Sequence, residues 1–128
     1  KKLQNSMPNV KVFNTAISNF DSNQLPAGSC DLALIKGVLI HMNPDQLSMV
    51  YNKLHQSSHK YILICEYYNP TPDVVKYRGH SDRLFRRDFA GEMLDQFEDL
   101  TLVNYGFAYH RDPSFPQDDI SWFLLKKL

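Results

Sequence analysis

Apolar positions along this chain follow three rhythms, and each predicts an element. Near the start, Val10 and Val12 alternate with polar neighbours and Phe13 follows, which predicts a short strand over 10–13. Asn14 to Asp21 reads as its exit, and 22–29, with Pro26 and Gly28, as a breaker-rich connection. Leu32-Ala33-Leu34-Ile35 and Tyr61-Ile62-Leu63-Ile64-Cys65 are uninterrupted apolar runs. Such runs suit strands buried on both faces, as in a parallel sheet.

Between them the rhythm becomes helical. Leu47, Val50, Tyr51 and Leu54 form one apolar stripe. Asn43 is the expected N-cap, Pro44 suits the first helical position, and Gln46 completes a capping-box spacing. Ser57-Ser58-His59 ends the helix, and Val38 to Met42 reads as a short turn over the strand ends. Strand, helix and strand over 32–65 make a βαβ unit, whose crossover is right-handed by rule. From Glu66 to Arg87 the rhythm breaks. Pro70 and Pro72 argue against regular structure, and long ordered connections of this kind usually carry function.

Asp88 then caps a second helix, with Ala90, Met93, Leu94 and Phe97 on one stripe. Leu100 to Tyr109 and Ile120 to Leu125 read as strands. Only a short polar link with Pro113 and Pro116 lies between them, which predicts an antiparallel hairpin. The fold class expected is α/β: parallel strands closed by an antiparallel β-hairpin, in a single domain over 1–128.

Composition refines this picture little. The chain has 128 residues, 43% of them hydrophobic, so a folded core is expected rather than disorder. Formal net charge is zero, so no global field draws nucleic acid or an anionic membrane, and neither is expected as a partner. No apolar run approaches the ~20 residues that cross a bilayer. Lys1 to Pro8 lacks the apolar centre of a secretory signal. Cys30 and Cys65 adjoin strand-like runs and read as buried, reduced thiols of a cytoplasmic protein.

The element order resembles the C-terminal half of class I S-adenosylmethionine-dependent methyltransferases, a Rossmann-like fold whose last strand inserts antiparallel beside its neighbours. The stretch from Asp31 to Pro44 is similar to the region around the fourth strand of those enzymes. More narrowly, several stretches resemble methylases associated with pseudaminic acid biosynthesis: Lys36 to His41, Tyr61 to Pro72, Tyr77 to His80, Phe85 to Gly91, His110 to Pro113, and Phe115 to Leu125. The resemblance implies S-adenosylmethionine as cofactor of the parent protein and a sugar or nucleotide-sugar as acceptor.

It also defines a departure. Such enzymes carry a glycine-rich turn after the first strand, where backbone approaches the cofactor, and an acidic residue after the second. Here the glycines are Gly28, Gly37, Gly79, Gly91 and Gly106, and no two lie close enough for that turn. The resemblance implies a partial domain beginning near the helix before the third strand. The competing reading is therefore a catalytically inactive piece, or a binding module, that keeps the fold's second half.

Site residues follow from the same alignment of elements. Thr15, Ala16 and Ile17 map to the adenine pocket; read without the resemblance they are an ordinary strand exit. Lys36, Gly37 and Val38 follow the fourth strand, where the cofactor is approached, and Gly37 permits an unusual dihedral there. His41 suits a general base, because methyl transfer to oxygen or nitrogen needs orientation and a proton acceptor that titrates near neutrality. It equally suits a histidine bonded to backbone before a helix cap. Glu66 ends an apolar strand as either a site acid or a solvated exit, and Tyr67, Tyr68 and Asn69 follow it towards substrate.

Lys76, Arg78, His80, Arg83, Arg86 and Arg87 crowd one stretch beside Tyr77. Arginine forks suit phosphate or carboxylate, so these residues read as a local anion site. The alternative is a solvated loop, ion-paired with Asp73, Asp82 and Asp88. His110, Arg111, Asp112, Asp118 and Asp119 crowd the β-hairpin connection and read as a second wall of the substrate pocket. A metal there is not expected, since the spacing matches no structural zinc pattern. Finally, a missing sheet half would leave the Leu32 strand as an apolar edge. Such an edge predicts a homodimer or strand exchange.

Overall fold

The computed structural model describes residues 6–21, 24–25, 30–77 and 82–128, with backbone only at 77, 82 and 83. Its centre is a four-stranded mixed sheet. Strand β1 is Cys30–Lys36, β2 is Ser58–Glu66, β5 is Leu100–Ala108 and β6 is Ile120–Lys127. Their spatial order is β1-β2-β6-β5. β1 pairs parallel with β2, Ile35 beside Ile64 and Lys36 beside Cys65. β6 lies antiparallel between β2 and β5, with Cys65 opposite Trp122 and Glu66 opposite Ser121. The parallel pair, the antiparallel hairpin and the inserted last strand thus follow the expected pattern.

Helix α1, Leu47–Ser57, crosses from β1 to β2 and buries Leu47, Val50, Tyr51 and Leu54, the stripe read from the sequence. A single 3₁₀ turn, Pro44–Gln46, precedes it, and Asn43 Oδ1 accepts the Asp45 N–H at 3.0 Å. Proline starts that turn without losing a bond, because the first helical N–H groups have no partner anyway. Helix α2, Phe89–Gln96, is capped by Asp88, whose Oδ1 accepts the Gly91 N–H at 2.9 Å. Both helices lie on one sheet face. Leu39, Val50, Ile62, Ile64, Met93 and Leu125 are at most 1% exposed there. Each such side chain contributes about 1.5–3 kcal/mol by leaving water.

Two expectations fail. No strand forms over 10–13: this stretch is irregular, Val12 and Phe13 are exposed, and Phe13 meets Phe20 edge-on. Alternation over four residues is a weak signal, and Val10 N–H donates locally to Met7 O at 2.9 Å, a turn contact. The stretch 66–87 is also more regular than its prolines suggest. It holds an antiparallel hairpin, β3 Asp73–Tyr77 with β4 Asp82–Arg86, Val75 opposite Leu84. Pro70 and Pro72 stand just before it, so they do not interrupt its ladder. In addition, β2 starts at Ser58, three residues earlier than the apolar run. Ser58 is fully buried, and its hydroxyl accepts the Lys60 and Tyr61 N–H groups at 3.1 Å.

Candidate active site

The site begins where β1 and β2 end, side by side. After Lys36 the chain turns at Gly37, which has φ +65° and donates its N–H to Cys65 O at 3.0 Å. This left-handed geometry favours glycine. Nothing lies within 4 Å of where a Cβ would stand, so the backbone is open on that side. The chain then forms a 3₁₀ turn, Leu39–His41, that buries Leu39 and Ile40.

Glu66 holds this turn from below. It is 3% exposed, and its Oε2 accepts the N–H groups of Val38 at 3.1 Å and Leu39 at 3.2 Å, while Oε1 accepts Ile40 N–H at 3.4 Å. Burial pushes its carboxyl above the ordinary value, and the backbone N–H groups of Val38, Leu39, Ile40 and Gly37 pull against that shift. With its oxygens engaged this way, Glu66 fixes the Gly37–His41 turn. The same strand end also raises the Cys65 thiol, mainly by burial and next by Glu66. Neither cysteine is bonded to another; both are half-buried rather than buried.

A cavity of about 260 Å³ opens above this turn, lined by Lys36, Gly37, Ile40, His41, Glu66, Tyr67, Leu84, Asp118 and Ile120. It joins four pieces distant in sequence: both parallel strand ends, β4 of the hairpin and the start of β6. His41 is an exposed residue of its wall. Lys36 Nζ donates to Gln117 Oε1 at 2.8 Å, tying the β1 exit to the β5–β6 connection. A second cavity, about 400 Å³, shares Tyr67, Leu84 and Asp118 with the first and adds Tyr68, Val75, Arg86, Phe107, Asp119 and Ser121.

Several residues singled out in the sequence meet here: Lys36, Gly37, His41, Glu66 and Tyr67 in the first cavity, and Tyr67, Tyr68 and Arg86 in the second. Others lie apart. Thr15 and Ile17 line a different hollow, with Cys30, Ala33, Lys53, Leu54 and Ser57, at the opposite end of β1. Ala16 precedes the 3₁₀ turn Ile17–Asn19, where Lys53 Nζ donates to Ile17 O and Ser18 O at 3.0 and 2.8 Å. Val38 is part-exposed and serves through its backbone N–H. Asn69 Nδ2 donates to Thr71 O at 2.6 Å, a local turn contact.

The basic stretch divides. Arg78 and His80 lie outside the described residues, and Tyr77 is described only as backbone in β3. Arg86 Nη2 pairs with Asp73 Oδ2 at 2.5 Å across the hairpin. Arg87 Nε pairs with Glu92 Oε2 at 2.5 Å, and Glu92 also accepts from Tyr51 Oη at 2.8 Å. Burial, and then that bond, pushes the Tyr51 hydroxyl well up. Glu92 of α2 therefore joins the two helices through Tyr51 of α1, and Arg87 pairs with its other oxygen. His110 Nδ1 meets Asp119 Oδ1 at 2.9 Å on the β5–β6 connection, and this contact holds the Asp119 carboxyl below its usual range. Arg111 is exposed on the same connection.

Asp118 and Asp119, read from the sequence as part of a second wall, line these cavities, and Leu84, Phe107, Ile120 and Ser121 are lining residues that the sequence did not single out as such. Leu84 had no usable signal, since its hairpin was read as irregular. Asp119 has a φ of +57°, rare outside glycine, where the connection enters β6. Among the described residues no group of three or more His, Cys, Asp or Glu gathers as a metal site. Nor is any helix among them long and apolar enough to cross a membrane.

No protein-family model matches the chain, and no curated protein matches it. Solved structures do. It superposes on 1,6-didemethyltoxoflavin-N1-methyltransferase of Burkholderia thailandensis, solved with 1,6-didemethyltoxoflavin and S-adenosylhomocysteine bound. The TM-score is 0.66 at 18% identity, over 90% of this chain and 49% of that one. A SAM-dependent methyltransferase of Methanosarcina mazei gives a TM-score of 0.63 at 8% identity, over 89% of this chain and 65% of that one. One from Leishmania major gives 0.57 at 16% identity, over 88% and 42%. The chain shares a fold with part of SAM-dependent methyltransferases and spans 42–65% of their length.

Proposed function

We propose that this chain is the C-terminal, Rossmann-like part of a SAM-dependent methyltransferase, with the cofactor over Gly37 and an acceptor beyond Tyr67. One observation carries the reading. The cavity at the carboxyl ends of the parallel strands stands where open α/β sheets bind ligands, and Gly37 leaves backbone there open to close approach. The residues fit that use: Lys36, Gly37 and the Glu66-pinned turn offer a preset rim, and His41 stands on the wall. S-adenosylmethionine, when bound, supplies an electrophilic methyl group. What the chain adds is orientation by the turn and, at His41, a place for the proton that the acceptor's oxygen or nitrogen gives up. Its acceptor, in this proposal, is a sugar or nucleotide-sugar of surface-sugar synthesis, supported by the resemblance to pseudaminic-acid-associated methylases.

A second reading rests on its own observation. The glycines are too scattered to form the turn that would grip the cofactor's far end. The chain alone would then be a binding module with weak or no cofactor affinity. Calorimetry with S-adenosylmethionine on the chain, and on a version extended N-terminally through a glycine-rich turn, separates the two. Tight binding only by the extended version is the expected result. Binding by neither overturns the methyltransferase assignment.

A further inference from the structure

The second cavity has walls of two kinds. Tyr68 and Phe107 present half-exposed rings, at 41% and 59% exposure, and Tyr68 is backed by Phe123 at a centroid distance of 5.8 Å. Among the other lining residues Arg86, Asp118 and Asp119 are charged, and their balance is acidic. Arg86 is the one cation among the described lining residues, and Asp73 already neutralises it at 2.5 Å. Its Nε is shielded from solvent and has no hydrogen-bond acceptor among the described residues. Against it stand the carboxylates of Asp118 and Asp119. Asp119 is held in place by the backbone N–H and ring Nδ1 of His110, both at 2.9 Å.

An anionic group entering this space would meet the Asp118 carboxylate, an Asp119 carboxylate shared with His110 and an arginine already paired with Asp73. A neutral ring would meet aromatic faces on one side and hydrogen-bond acceptors on the other. We infer that the second cavity binds an uncharged ring bearing hydroxyl or amino donors, with any phosphate or carboxylate of the same molecule directed outside it. This deepens the proposed function, on which its role as the acceptor site rests. The two cavities share Tyr67, Leu84 and Asp118, so a group held in one borders a group held in the other.

A matched pair of probes tests it. N-acetylglucosamine and its 6-phosphate carry the same ring and differ by one anion. Titrations of the chain, followed by NMR, should show the neutral sugar moving the Tyr68 and Phe107 ring signals. Its affinity should exceed that of the phosphate by at least tenfold. In Asp118→Asn the preference should shrink to a few fold, because one repelling carboxylate is gone. Equal or tighter binding of the phosphate by the unaltered chain overturns the inference, as does neutral-sugar binding that leaves both rings unmoved, or no binding of either sugar. Failure of the cofactor reading registers separately, as absent S-adenosylmethionine binding by the N-terminally extended version with the sugar preference intact.

Discussion

The two faces of the central sheet were written in the same alphabet and live in different solvents. On the helix side, Ile62, Ile64 and Leu125 are at most 1% exposed beneath α1 and α2. On the other side, their strand neighbours Leu32 and Leu34 are 47% and 59% exposed, and Leu63, Cys65, Trp122 and Leu124 floor an apolar hollow of about 440 Å³. Parallel strands normally have both faces covered. The uninterrupted runs at 32–35 and 61–65 carry that demand, and the described residues meet it on one face only. Apolar patterning records what a strand is built to touch, while burial records what touches it here.

The largest break in that comparison should come from the covered face. Ile64→Ala is expected to cost about 2–5 kcal/mol, seen as a fall in the urea midpoint. Leu34→Ala should cost far less, within about 1 kcal/mol, because water already reaches that side chain. Equal losses would mean that the open face is packed in solution.

Next in size is Glu66, at the covered face's upper end. Glu66→Ala leaves the N–H groups of Val38, Leu39 and Ile40 without their acceptor, for a loss of about 1–3 kcal/mol. Burial raises the Glu66 carboxyl in the folded chain. Its stabilising contribution is therefore complete below the ordinary carboxylate pKa and is lost as pH rises through the raised one. Glu66→Gln should flatten that decline in a series of urea midpoints against pH. Parallel curves for the two proteins would refute it.

A smaller effect is expected at the cap that seats α2 over the sheet. Asp88→Ala should cost about 1 kcal/mol by removing the acceptor for Gly91 N–H. A Cβ at Gly91 would stand 2.1 Å from Asp88 Oδ2, so Gly91→Ala must displace the cap and should reproduce part of that loss by thermal melting.

Legibility followed the physics of each signal. The βαβ unit was plain, since a helical stripe at Leu47 to Leu54 between two apolar runs admits few other folds. The inserted last strand was legible only through resemblance, because pairing order is a long-range choice that local pattern does not encode. The strand expected at 10–13 misled because four alternating residues are too short a signal, and the β3–β4 hairpin was hidden by prolines that precede it. At the site, Gly37 and His41 could be read from their place after a strand. That Glu66 would reach back to hold the turn could not, because an engaged carboxylate and a solvated one look alike in sequence. Arg86 and Arg87 carry two readings in the sequence, anion ligands or ion-paired surface groups, and each is paired here, with Asp73 and Glu92.

Trp122 is the only tryptophan of the chain, and it lies half-buried on the open sheet face. The glycine opposite makes room for it: a Cβ at Gly106 would come within 2.6 Å of the indole. The protein thus carries its one tryptophan, which can be excited selectively over its seven tyrosines, on the open face. Its emission colour and its access to a collisional quencher gauge the wetness of that face, with no label attached and little background from elsewhere. Any condition that dries the face should announce itself as a blue shift, long before the occupant is known.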